Sequence, residues 1–269
     1  MSVTVHSRPT ACIVFMASCT RSWRELVRYR SIFWQAFFWA PVQFVVPFYF
    51  AGIAFGGTPD YQAFIFFGTL MWSWLHNSIW EATLVLSREM SGGSIELLFS
   101  TPASAPAWLL GASFASTSLH FATLCLTGGL AGFFLRPVIA PNWSAVALTL
   151  LLSYVLGWGI SLTLAAATLF LKQPRNPVSL LVDFGFVVSG ATFPLREGGR
   201  LLTSLAAIIP LAPAISTFRI SVLHAPSFST ILPNLGLLLL LGSLFLGLGI
   251  AVLRLVHREV RQRGSLHQF

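Results

Sequence analysis

The sequence predicts an all-α integral membrane protein with six transmembrane helices, an N-terminal amphipathic helix and short re-entrant helices before the last span. Three observations predict it. Of 269 residues, 55% are hydrophobic and only 9% are charged, against roughly 25% charged in soluble domains. The apolar residues run in long blocks and do not alternate with polar ones, and the mean hydropathy is +0.78. The charged residues cluster at the chain ends and between the blocks, as membrane insertion requires of Lys and Arg.

The elements follow in order. Over 12–30, Cys12, Phe15, Met16, Cys19, Trp23, Leu26 and Val27 recur at steps of three and four, with Thr20, Arg21, Arg24, Glu25 and Arg28 opposite. That pattern predicts an amphipathic helix lying in the cytoplasmic interface. The alternative is a weakly structured fringe of the first span. A spanning helix needs about 20 mainly apolar residues. Six stretches qualify: 31–54, 62–86, 106–134, 143–171, 177–194 and 230–253. Arg136 and Pro137 close the third, and Lys172 to Arg175 close the fourth. Between the fifth and sixth lies a half-apolar segment, 195–229, interrupted by Pro210 and Pro213. Broken backbone survives at membrane depth only where protein buries it. Two short helices dipping into the membrane are therefore expected, with a seventh, kinked span as the alternative. No internal repeat is visible, so 1–269 reads as a single transmembrane domain.

The basic residues orient the chain. Net charge is +8, and fifteen of the sixteen basic residues are arginine. Arg8, Arg21, Arg24, Arg28 and Arg30 precede the first span, and Arg254, Arg258, Arg261 and Arg263 follow the last. Counted over alternate loops, twelve basic residues fall on one side and four on the other. Both termini are then cytoplasmic in a multi-pass protein of the cell (inner or plasma) membrane. The basic residues form no continuous stripe, which argues against nucleic acid as a partner. Residues 11–19 are too short, and too closely followed by arginine, for a cleaved signal core.

Much chemistry is excluded. A phosphate loop needs a lysine after its second glycine. The only lysine, Lys172, follows Leu171, so the chain has no ATP site of that kind. HExxH, CxxC and GxSxG are absent, and Cys12, Cys19 and Cys125 form no paired framework. No catalytic residue, no metal site and no cofactor is expected in this chain.

Polar groups inside the spans are few. Ser73, Asn77, Glu81 and Arg88 share one face of the second span. They line a translocation path or gate, or they form a helix–helix hydrogen-bond patch. Asp183, in the fifth span, is a proton-relay residue or a structural pairing partner. His76 and His120 read as satisfied bundle residues. Gly111/Ala115, Gly128/Gly132 and Ser243/Gly247 allow close helix approach, within a bundle or across a dimer face. The 14% aromatic content suits an amphipathic or lipid-like substrate.

The second loop, 87–105, mixes Arg88, Glu89 and Glu96 with Ile95, Leu97, Leu98 and Phe99. A short amphipathic helix there exposes apolar surface to the cytosol, unless a soluble partner covers it or it folds back on the lipid. The run Arg88-Glu89-Met90-Ser91-Gly92-Gly93-Ser94-Ile95-Glu96-Leu97-Leu98, then Thr101-Pro102 and Leu109-Leu110-Gly111, resembles the second-loop motif of type-2 ABC exporter permeases. Ser189-Gly190-Ala191-Thr192-Phe193-Pro194-Leu195, then Ile209-Pro210-Leu211 and Phe218-Arg219, is similar to the stretch after the fifth span in that family. The resemblance covers nearly the whole chain, with an unusual Gly92-Gly93 pair and a longer non-basic lead, Met1–Thr10.

The resemblance implies the transmembrane subunit of an exporter of drugs, lipids or glycans. It implies a coupling helix in 91–103 docked on a separate ATPase, with Arg88, Glu89, Ser94, Ile95, Glu96, Leu97 and Leu98 at or near the contact. It implies re-entrant helices in 196–220 carrying Phe193, Pro194, Pro210 and Arg219 in or beside them. Two ATPase subunits, which hold ATP and Mg, and a second permease copy or a related permease complete the complex. The competing reading is an ion-coupled secondary transporter that uses Asp183.

Overall fold

In a computed structural model of the protein, the described residues are 10–31, 34, 37–38, 42, 49, 58–93, 95, 104–134, 139–171, 176–194, 199, 210–224 and 226–263. Among them the protein is all-helical, with seven helices and no strand. These are α1 (Ala11–Arg28), α2 (Pro59–Ser91), α3 (Ala105–Phe134), α4 (Trp143–Leu171), α5 (Asn176–Val188), α6 (Leu211–Leu223) and α7 (Phe228–Arg263). Three of them, α3, α4 and α7, are long and apolar enough to cross a membrane.

The predicted first span, 31–54, lies almost wholly outside the described residues. Trp34, Phe37, Phe38, Val42 and Tyr49 within it are helical and exposed. The third and fourth spans match α3 and α4 to within a residue. The second and sixth are longer than expected, because a helix satisfies its own backbone and need not stop at the apolar boundary. At ~1.5 Å per residue α2 extends about 50 Å and α7 about 54 Å, well beyond a ~30 Å hydrocarbon core. The surplus in α7 carries Arg254, Arg258 and Arg261. At its other end, α2 begins with Pro59 and Asp60 in its first turn, both favourable there.

The fifth span, expected over 177–194, is corrected. α5 ends at Val188, so its length is about 20 Å. The chain then turns through Ser189 and Gly190, and Gly190 takes φ +71°, a left-handed conformation that favours glycine. Phe193 and Pro194 lie in the bend that follows, half-buried. Of the expected re-entrant segment, 196–220, only Gly199 and Pro210 onward are described. The helix there runs on past Arg219 to Leu223. Pro210 precedes its first turn and Pro213 sits inside that turn, where a missing N–H costs nothing.

α4 is the middle of the bundle. It packs most extensively on α7 and also on α2 and α6. Two glycines bring α4 and α7 together: a Cβ on Gly159 would meet the Phe245–Leu246 backbone, and one on Gly249 would meet the Gly159 carbonyl. Gly128, Gly132 and Gly247 make no such approach within the chain. Two buried clusters fill the interior. One gathers Phe66, Met71, Leu75 and Ile79 of α2 with Ile215 and Phe218 of α6. The other gathers Leu86 and Met90 of α2 with Trp108 of α3, Trp158 and Leu162 of α4, and Ile95. Polar cross-links are sparse. Trp74 Nε1 donates to the Leu150 carbonyl (3.1 Å), and the Ala82 N–H donates to Ser161 Oγ (2.9 Å).

α1 packs on α3, and its apolar residues divide. Val14, Phe15, Cys19 and Leu26 turn toward the bundle with the buried Ser18, whereas Ile13, Met16, Trp23 and Val27 are exposed. The expected single apolar stripe is therefore two. Small residues let α1 come close: a Cβ on Gly111 would lie 2.9 Å from Ser18 Cβ. The outward stripe suits the membrane interface, where such a helix buries its apolar side in the headgroup boundary.

Candidate functional site

Two arrangements stand out, one at each end of α2. At the C-terminal end, Arg21 of α1 is bonded to α2. Its Nη2 donates to Glu89 Oε1 at 2.9 Å, and its Nε to Glu25 Oε1 at 3.0 Å. The Glu89 side chain is only 13% exposed, whereas Arg21 and Glu25 are about half exposed. Partial burial opposes the Arg21 charge, but the Glu25 hydrogen bond and the Glu89 carboxylate hold its pKa above the ordinary arginine value. The pair thus ties the amphipathic helix to the last turn of α2, just ahead of the second loop. Arg88, next to it, is exposed. Ser94, Glu96, Leu97 and Leu98 lie outside the described residues. Ile95 does not offer an exposed apolar side chain; it is 1% exposed and packs with Met90 and Trp108. It anchors the start of the loop to the bundle.

At the other end, Arg219 of α6 is 9% exposed. Its Nε donates to the Phe64 carbonyl (2.9 Å), its Nη1 to the Gly190 carbonyl (2.8 Å) and its Nη2 to the Ala191 carbonyl. Its guanidinium carbon lies 3.5 Å from the centre of the Phe64 ring. The planar fork suits this task, because it presents several donors in fixed directions. Gly68 leaves the space it needs: a Cβ there would collide with the guanidinium. One side chain therefore fastens α6, the turn after α5 and the start of α2 to each other.

The expected polar path along α2 divides. Asn77 Nδ2 donates to the Ser73 carbonyl (2.9 Å). Both residues border a cavity of about 10 Å³ shared with His120 and Thr123 of α3, enough for about one water. Glu81, 5% exposed, lies deeper in the bundle. Among the described residues it makes no hydrogen bond or ion pair. Asp183 is elsewhere, exposed on α5 and within electrostatic reach of His76. The structure does not bring Ser73, Asn77, Glu81 and Asp183 into one site.

Three features that sequence reasoning missed belong here: the pairing of Arg21 with Glu89, the place of Gly68 and that of Tyr154. Arg21 and Glu89 are 68 positions apart, so no local spacing links them. Gly68 sits in an apolar run where a glycine is unremarkable. Tyr154, in the middle of α4, lies 3.3 Å from Thr117 Oγ1 of α3. No group of three or more metal-ligating side chains occurs among the described residues.

No protein-family model matches the chain. No curated protein matches it either.

Proposed function

We propose that this chain is the transmembrane permease subunit of an ATP-binding-cassette exporter, working as a dimer with two separate ATPase subunits. The observation that carries the reading is the Arg21–Glu89 pair. It joins an interfacial helix to the end of α2 where the second loop begins, so a push on that loop would move α1 and α2 together. The sequence of the loop adds support, since its order of charged, glycine and apolar residues is similar to that of type-2 exporter permeases.

In this reading the chain has six spans, with the fifth shorter than α3, α4 and α7, and both termini are cytoplasmic. ATP and Mg belong to the partner. ATP binding draws the ATPases together, each presses on 91–103, and the permease dimer alternates between inward-open and outward-open states. Transport then requires a substrate whose affinity differs between the two states. The Arg219 cluster holds the segment after α5 rigid, so movement transmitted along α2 reaches α6 as a unit.

The test is co-purification. The detergent-solubilised chain, co-expressed with its candidate ATPase, should retain that ATPase. The variant Glu96→Arg/Leu98→Asp should lose it. Failure of the wild-type chain to retain any ATPase would sink the reading and favour ion-coupled transport. Asp183→Asn would then be expected to abolish transport.

A further inference from the structure

α1 touches α3 closely at Gly111, but not along its whole length. Between its inner face, the last turns of α2 and the first half of α3 is a cleft of about 460 Å³. That falls within the roughly 300–1,000 Å³ of small-molecule sites. Its wall is mixed, and Glu25 and Glu89 line it as well as the arginines. Arg21 and Arg88 are exposed, Trp108 and Ala115 are buried, and all four line it. Ser22 and Ser116 add hydroxyls.

The charges are not all matched. Arg21 is held by Glu25 and Glu89, but Arg88 makes no ion pair among the described residues. A cation, hydroxyls and apolar side chains in one cleft fit a ligand with a phosphate at one end and hydrocarbon at the other. Guanidinium groups bind phosphate oxygens by paired, charge-assisted hydrogen bonds. The exposed apolar stripe of Ile13, Met16, Trp23 and Val27 on the outer side of α1 places this cleft where such molecules are abundant.

We propose that the cleft binds the headgroup of a membrane phospholipid, with Arg88 on the phosphate and an acyl chain along Trp108 and Ala115. The lipid then fills the gap behind α1 and supports the Arg21–Glu89 contact. This site does not depend on an ATPase partner, and its test needs none.

The test is native mass spectrometry of the purified full-length chain in detergent. Dioleoylphosphatidylethanolamine is the probe, dioleoylglycerol the phosphate-free control and glycerophosphoethanolamine the tail-free competitor. The wild type should retain the phospholipid, should not retain dioleoylglycerol and should resist the soluble competitor. Arg88→Gln should retain about tenfold less, the loss expected of one charge-assisted hydrogen bond. Ala112→Trp, which fills the cleft from α3, should also lose the lipid. Arg24→Gln, on the exposed side of α1, should behave as wild type. Equal retention by wild type and Arg88→Gln would overturn the proposal, whether or not Ala112→Trp folds. So would equal retention of dioleoylglycerol, or displacement by the soluble headgroup at equal affinity, which would mark a free-phosphate site.

Discussion

Arg219 shows how one residue can organise distant segments. A buried guanidinium is tolerated only when its donors are used, and here three backbone carbonyls use them. Removing it leaves the Gly190 and Ala191 carbonyls without that donor. Arg219→Met should therefore lower stability by about 2–4 kcal/mol, read as a fall in melting temperature in detergent. Gly68→Ala should cost about 1–3 kcal/mol by crowding the same group and the Ala191 carbonyl. The two effects should add only in part: with Arg219 already truncated to Ala, Gly68→Ala should cost less, but its Cβ would still meet the Ala191 carbonyl. Fully additive losses would mean that the guanidinium is not what Gly68 makes room for.

Among the elements, α1 and the α4–α7 pair depend on different forces. The Arg21–Glu89 pair is partly solvated, so its worth to stability is only about 0.2–1 kcal/mol. Arg21→Glu should barely shift the melting temperature yet, in the proposed exporter complex, uncouple ATP hydrolysis from transport. The charge swap Arg21→Glu/Glu89→Arg should restore coupling, an outcome that loss of packing alone would not give. α4 and α7 are held by backbone proximity. Gly249→Leu should force them apart and cost about 1–3 kcal/mol or more, measured by thermal unfolding. The same change at Gly247, which faces open space within the chain, should leave monomer stability nearly unchanged.

For the whole molecule, the prediction concerns topology. Reporter fusions after Phe269 should be active in the cytoplasm, whereas fusions at the α3–α4 connection near Pro141 should report the opposite side. A cytoplasmic signal from both would break the proposed six-span arrangement, because α3 alone separates that connection from the second loop. The connection's described part, 139–142, is tied down. Asn142 Oδ1 accepts from the Ala145 N–H at the start of α4, and its Nδ2 donates to the Pro226 carbonyl (2.9 Å). The backbone N–H groups of Ala140 and Asn142 donate to carbonyls at the end of α6. A reporter inserted there should fold only if it leaves Asn142 in place.

The sequence by itself determined the helical class and the apolar segments of α3 and α4, because long apolar blocks without charges leave the backbone no other way to satisfy its hydrogen bonds in lipid. It determined α1 for a similar reason, since periodic apolar and basic residues admit one amphipathic helix. It did not determine where α5 stops. That end depends on Gly190 turning left-handed and on Arg219, 29 positions away, binding its carbonyl. Nor could it show which apolar residues of α1 face the bundle, since Phe15 and Met16 are equally apolar and only contact with α3 separates them. The same holds for Ile95, whose burial no pattern in 87–105 reveals. Local periodicity fixes what a segment becomes. Contacts across tens of residues decide where it ends, which face it hides and which charges meet, and those are properties of the packed bundle.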